Sequence, residues 1–262
     1  MFALTAMFIA GCGGTQPLGS SMPPPEPPAQ LAVVPSVDDL VFLTEEHPPF
    51  NHTLRGHPAG LSVVLLEAMF NAVGARTDPN ITVLPWSEGY ARAQAAPGVC
   101  LFSTARTPQR QALFTWVGPI AASRIAVVAK KGSGIVLNTP ASLAEHTYSV
   151  IADDVGQQLL LAAGVPATNL NIAQDTDTII AGLIDGSVTA WAFEEASANY
   201  QIAAARESLE DYETLYILQE GTLSFACHKD TDLALLTALT DALTAVAVSG
   251  EQARIVEEHL GE

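Results

Sequence analysis

The sequence predicts an α/β protein of two units, each a sheet of mostly parallel strands flanked by helices. Three observations carry this. Short apolar runs of strand length alternate with segments whose apolar residues recur at helical spacing. The alternation halts near residue 122 and then starts afresh. One further strand, "LSFACHKD", returns after the second unit and is followed only by helices.

The elements follow in order. "DLVFLTEE" reads as the first strand, and "HPPFNHTLRGHPAG" as a loop dense in turn residues. "LSVVLLEAMFNAVG" has helical spacing and a glycine stop. "NITVLPW" is the second strand, "SEGYARAQA" a short helix and "GVCLFSTA" the third strand. In "TARTPQR", Thr107 suits a helix N-cap and Pro108 the first helical turn, so a helix is expected there. Arg110 would then sit in its first turn, where the macrodipole disfavours a cation. The second unit opens with the strand "SRIAVVAKK", the helical turn "PASLAEH" and the strand "YSVIAD". The helix "VGQQLLLAAG" and the helix "DTIIAGLIDG", stopped by Gly186, come next. "VTAWAFEE" is a strand and "ASANYQIAAARESL" a helix. After the return strand, "LALLTALTDALTAVAVSG" and "EQARIVEEHL" close the chain as helices.

Of 262 residues 48% are hydrophobic, enough for a substantial core. Lys and Arg number 11 against 28 Asp and Glu, a net charge of −17. Such a chain has no basic stripe to neutralise phosphates, which argues against nucleic acid as a partner. The acid reads as a solvated surface. At the N-terminus, "MFALTAMFIAGCGG" resembles a bacterial lipoprotein signal, with Cys12 as the lipidated residue and residues 1–12 as the signal. The run is too short to span a bilayer and lacks a positive start, which points to a translation start further upstream. Residues 13–37, rich in Pro, Gly and Ser, read as a tether of at most roughly 80 Å. The expected location is outside the cytoplasm, on the surface of a membrane reached through the lipid alone.

Cys100 and Cys227 each lie in a short apolar run. Buried free thiols are the expectation, and a disulfide requires the fold to bring the two runs together. His47, His52 and His57 lack the ligand spacing of any one metal, so no metal site is expected. Phe114 and Trp116 read as core.

In open α/β sheets, ligands bind beyond the carboxyl ends of the strands. Glu45, Glu46 and His47 follow the first strand, Trp86 the second, and Arg106 the third. Asp153 with Asp154, and Glu194 with Glu195, end two strands of the second unit. A helix N-terminus beside Arg110 would form an anion site, with a planar guanidinium able to grip a carboxylate through two hydrogen bonds. The alternative is that Arg106 and Arg110 pair with surface acids. Trp86 either packs on a ligand or covers the core.

The stretch "TARTPQRQALFTWVGPIAASRIAVVAKKGS" resembles the signature of the extracellular solute-binding proteins, family 3, of polar amino-acid ABC transporters. "LTEEHPPF", "LPWSEGYARA" and "TAWAFEE" are similar too, and the likeness runs from about residue 38 to the end. It implies the two-lobed periplasmic-binding-protein fold of type II, each lobe a mixed sheet flanked by helices. Lobe one would comprise residues 38–122 and 218–262, and lobe two residues 123–217. The resemblance places Arg110 on the ligand α-carboxylate, Glu194 on its ammonium, and Trp86 and His47 as rings around its side chain. It places Ser103 at a strand-end contact and Asp154 and Gly156 in a turn offering backbone donors. Glu45 and Arg106 join the expected ligand-binding residues from their strand-end positions, the alternative for Glu45 and Glu46 being a solvated strand end. This chain departs from the family in having Glu rather than Asp at 194, Ala105 without a hydroxyl, and Glu88 where an arginine is frequent. The resemblance also makes a cross-strand bridge between Cys100 and Cys227 conceivable.

The function implied is a monomeric receptor, without cofactor, that closes around an amino acid or related carboxylate for an ABC permease. Two alternatives stand beside it. One is a sensory lipoprotein that presents its ligand to a membrane sensor. The other is a hydro-lyase of the cyclohexadienyl dehydratase type, in which Glu45, Glu46 or Glu194 would act as general acid.

Overall fold

The computed structural model describes residues 36–261, so the predicted leader with Cys12 and nearly all of the tether lie outside the described residues. The first part of the chain forms β1 (Val41–Thr44), the hairpin β2 (His52–Leu54) and β3 (His57–Ala59), and α1 (Leu61–Ala72). It continues through β4 (Asn80–Val83), α2 (Trp86–Ala95) and β5 (Val99–Ala105) to a long strand, β6 (Phe114–Lys130). Then come β7 (Tyr148–Ile151), α3 (Val155–Ala162), β8 (Leu170–Ala173), α4 (Thr176–Asp185), β9 (Trp191–Glu194) and α5 (Glu195–Ala204). A second long strand, β10 (Tyr212–His228), returns before α6 (Leu233–Val248) and α7 (Glu251–Leu260).

Eight strands make one mixed sheet in the order β4-β1-β5-β10-β6-β9-β7-β8. β4, β1 and β5 are parallel, as are β8, β7 and β9. β6 and β10, each 17 residues long, run antiparallel side by side through the middle. Only one end of each serves an outer group: residues 223–227 of β10 pair with β5, and 125–128 of β6 with β9. The architecture is therefore two half-sheets joined by two continuous strands, the α/β fold expected.

Each half buries its own core. In the first, α1, α6 and α7 pack over Phe42, Leu65, Met69, Phe102, Phe225 and Leu239, while Leu43, Leu101 and Trp86 fill the opposite face beneath α2. In the second, Tyr148, Val150 and Leu160 lie on one face, and Ile179, Trp191 and Phe193 on the other. Burying one such large apolar side chain stabilises the fold by roughly 1.5–3 kcal/mol. Gly60, at φ 109°, admits the loop after β1 against α1: a Cβ there would lie 2.6 Å from the Phe50 carbonyl oxygen.

Two sequence expectations are corrected. No helix follows β5: residues 108–113 are turns. Thr107 Oγ1 does accept from the Arg110 N–H (3.2 Å), as an N-cap would. However, β6 begins at Phe114 to pair with His228, leaving no length for helical turns. Arg110 thus faces no macrodipole. Cys100 and Cys227 are bonded to each other rather than free, because β5 and β10 place them directly opposite.

Candidate functional site

A small cavity lies where the two halves meet. Parallel strands deliver most of its lining at their carboxyl ends: Glu45 after β1, Ala105 from β5, Asp154 after β7 and Glu194 from β9. His47, Trp86, Ser103 and Arg110 complete the polar and aromatic wall. Ile125, Val155, Phe193 and Leu223 form an apolar floor.

Arg110 is the centre of the site and is only 1% exposed. Its Nε donates to Gln158 Oε1 (2.9 Å), Nη2 to the Asp153 carbonyl (3.4 Å) and Nη1 to the Ala105 carbonyl (3.5 Å). The guanidinium lies 4.8 Å from the Trp86 ring centre and 5.3 Å from that of Tyr90. Every hydrogen-bond partner is neutral, and no carboxylate pairs with it directly among the described residues. The Asp153 carbonyl also accepts from Trp86 Nε1 (2.9 Å) and Gln158 Nε2 (2.8 Å), so three donors from both sides of the cleft converge on one oxygen. Asp153 holds that oxygen in place through a left-handed backbone (φ 59°), which costs a non-glycine residue about 1–3 kcal/mol. Ser103 is likewise left-handed (φ 55°), where residues 102–103 bulge against Phe225 of β10. Its hydroxyl donates to Ser62 Oγ at the head of α1 (2.8 Å).

Three carboxyls line the same cavity as this cation. Burial, joined by the charge of Asp154, raises Glu45 well above the usual carboxylate range. Burial also raises Asp154, against the pull of Arg110. Glu194 is pushed up to about 7 by burial, although the Ser197 N–H it accepts (2.8 Å) pulls the other way. Burial drives His47 down to about 4, so its ring is neutral at physiological pH.

The sequence profile of the bacterial extracellular solute-binding proteins, family 3, matches residues 40–262. The chain belongs to this family. Its members are extracytoplasmic solute-binding proteins. No curated protein matches the chain by sequence. Among solved structures, a histidine kinase sensor domain with similarity to periplasmic binding proteins superposes with a TM-score of 0.74 at 17% identity, covering 85% of this chain and 96% of that one. An ABC uptake transporter substrate-binding protein from Streptococcus pneumoniae with bound histidine gives 0.73 at 18%, covering 86% and 93%. The arginine-, lysine-, histidine-binding protein ArtJ from Geobacillus stearothermophilus gives 0.67 at 20%, covering 85% and 96%. At these identities the likeness shows the fold.

Within this family member, the residues singled out by sequence divide clearly. Glu45, His47, Trp86, Ser103, Arg110, Asp154 and Glu194 line one cavity. Arg106 does not: its Nε donates to Gln111 Oε1 (2.8 Å) and its guanidinium lies over Trp116 at 5.8 Å, on the outer surface. Gly156 does not line it either. Its N–H faces the capping carboxylate of Asp154 (3.5 Å), and it is a glycine because α3 packs on β9 with no room for a Cβ. Glu88 is exposed and pairs with Arg92 one turn on, so it faces solvent. Glu46 also turns outward, accepting the Thr53 N–H. Sequence reasoning missed Gln158 and the Asp153 carbonyl as Arg110 partners. An i, i+4 glutamine from the Asp154 cap is the one signal that pointed to the former.

Proposed function

We propose that this protein is a two-lobed extracytoplasmic receptor that closes around a small zwitterion, an amino acid or related carboxylate, and hands it to an ABC permease. Lobe one would be residues 38–122 with 218–262, and lobe two 123–217, with β6 and β10 crossing between them as the hinge. Cys12 would carry the lipid that keeps the receptor at the membrane. The observation that carries the reading is Arg110: a buried guanidinium without a paired carboxylate is costly unless an anion completes it. A ligand carboxylate supplies that anion in bidentate geometry. Glu194 and Asp154 on the facing lobe supply the counterpart for an ammonium. Binding of amino acids by the solved relatives of this fold supports the choice of solute. The likeness to a histidine kinase sensor domain favours a second reading, in which the closed form reports to a sensor.

Isothermal titration of the purified protein against the proteinogenic amino acids tests the site. Arg110→Ala should lose at least ~30-fold in affinity, since truncating one partner of a buried charged pair costs about 2–5 kcal/mol. Arg110→Lys should lose nearly as much, because an ammonium cannot form the two parallel bonds. Unchanged affinity in Arg110→Ala would sink the proposed pocket.

A further inference from the structure

We propose that His52 and Tyr200 form a latch between the two halves, outside the Arg110 cavity, in which the Tyr200 hydroxyl donates to His52 Nδ1. Its consequence, slower release of a captured solute, rests on the receptor reading above; the contact itself does not. His52 opens β2 in the hairpin of the first half, and Tyr200 lies midway along α5 in the second. Neither residue lines the cavity that holds Arg110. Their rings meet across the cleft, with centres 6.5 Å apart and planes inclined by 32°.

Nδ1 of His52 is buried and has no hydrogen-bond partner among the described residues. A buried polar atom left unpaired carries its full desolvation cost. A neutral imidazole has one acceptor nitrogen, and the phenol beside it offers a proton. Each side of the latch is also fastened to a wall of the cavity. On the first half, Asn51 donates through Nδ2 to the Glu45 carbonyl (2.6 Å) and exchanges backbone hydrogen bonds with His47 (2.7 and 3.1 Å). On the far side of His52, the Thr53 N–H reaches the Glu46 carboxylate (3.0 Å). On the second half, α5 is the helix that Glu194 caps. A groove runs past the latch between Pro48 and Thr53 on one wall and Thr176, Ile180 and Gln201 on the other. The latch bridges this groove, so separating the halves must break it. A contact made only in the closed arrangement shifts the equilibrium toward closure.

Nitrogen NMR of the imidazoles reads the bond directly, on the full chain at mildly alkaline pH, where an imidazole is neutral. His52→Gln identifies the resonance. Tyr200→Phe keeps the ring and removes the proton, so it should move the His52 Nδ1 signal toward that of an unbonded nitrogen. An unmoved signal overturns the latch, and this readout needs no solute. Stopped-flow release of the amino acid that binds most tightly in the titrations above then reads the consequence. Tyr200→Phe and His52→Phe should each speed dissociation about fivefold, the loss of one hydrogen bond, with association at the parental rate. The double variant should release no faster than either single one, because both remove the same bond. Additive effects would mean that the two side chains act separately and would overturn the latch. A moved signal with an unchanged dissociation rate would overturn it as well. In each of those cases Arg110→Ala would still lose affinity, leaving the receptor reading intact. If the parent binds no amino acid, the receptor reading falls, and the imidazole signal alone decides the contact.

Discussion

Glu194 serves two partners with one carboxyl group: Oε2 accepts the Ser197 N–H that starts α5, and the group faces the cavity as well. Burial lifts it from an ordinary 4.5 to about 7. The native state therefore holds a proton there that the unfolded chain has lost between these two values. The stability this contributes is full below about 4.5 and disappears as pH rises through about 7. A ligand ammonium reverses the preference, because an adjacent cation favours the ionised carboxylate. Binding an α-amino acid should then release a proton at neutral pH, and affinity should rise between pH 6 and 8. Calorimetry in two buffers of different ionisation heat would count that proton. Glu194→Gln should bind more weakly and flatten the pH dependence. A parent protein with pH-independent affinity would remove Glu194 from contact with the ammonium.

Among the elements, α3 is the one on which both stability and the site depend. Its first turn holds the Asp154 cap and its second the Gln158 that binds Arg110, and the helix lies so close to β9 that a Cβ on Gly156 would come within 2.1 Å of the Ala192 carbonyl oxygen. Gly156→Ala must push α3 away from the sheet. Overpacking of this kind costs about 1–3 kcal/mol, and here it also displaces the partners of Arg110. A fall in melting temperature together with weaker ligand binding is expected; a fall in melting temperature alone would show that α3 moves without disturbing the cleft. How far such detail was legible in the sequence varied with the element. The parallel strands were plain, since they are short apolar runs ending in polar clusters. β8 was not, because Asn171 and an exposed Ile172 interrupt its pattern at the sheet edge. The long strands read as fragments. Gly118 and Pro119 look like breakers, yet they occupy an irregularity in β6 opposite Ser224, where the ladder does not need the missing N–H. In the site, convergence of strand ends was legible, and the direction of each arginine was not. Arg106 and Arg110 differ in facing outward or inward only through the turn between them.

At the scale of the whole molecule, the question is what holds the two halves together. β6 and β10 link them covalently, and three hydrogen bonds cross the cleft at the site: Trp86 to the Asp153 carbonyl, Arg110 to the same oxygen, and Arg110 to Gln158. A ligand shifts such an equilibrium only by its differential affinity for the two arrangements. In the receptor proposed above, contacts to both halves at once, through Arg110 and Glu194, would be the source of that difference. Gln158 needs no ligand contact to matter here, since its bond to Arg110 exists only when the halves meet. Removing it should leave the open form able to capture ligand on lobe one while making the closed form shorter-lived. Gln158→Ala is therefore expected to raise the ligand dissociation rate by about tenfold, the equivalent of ~1.4 kcal/mol, with an association rate close to the parent's. Stopped-flow measurement of Trp fluorescence reads both rates, because Trp86 lies in the wall that closes. An unchanged dissociation rate would mean that these contacts follow closure without stabilising it, and a slower association rate would place Gln158 in the capture step instead.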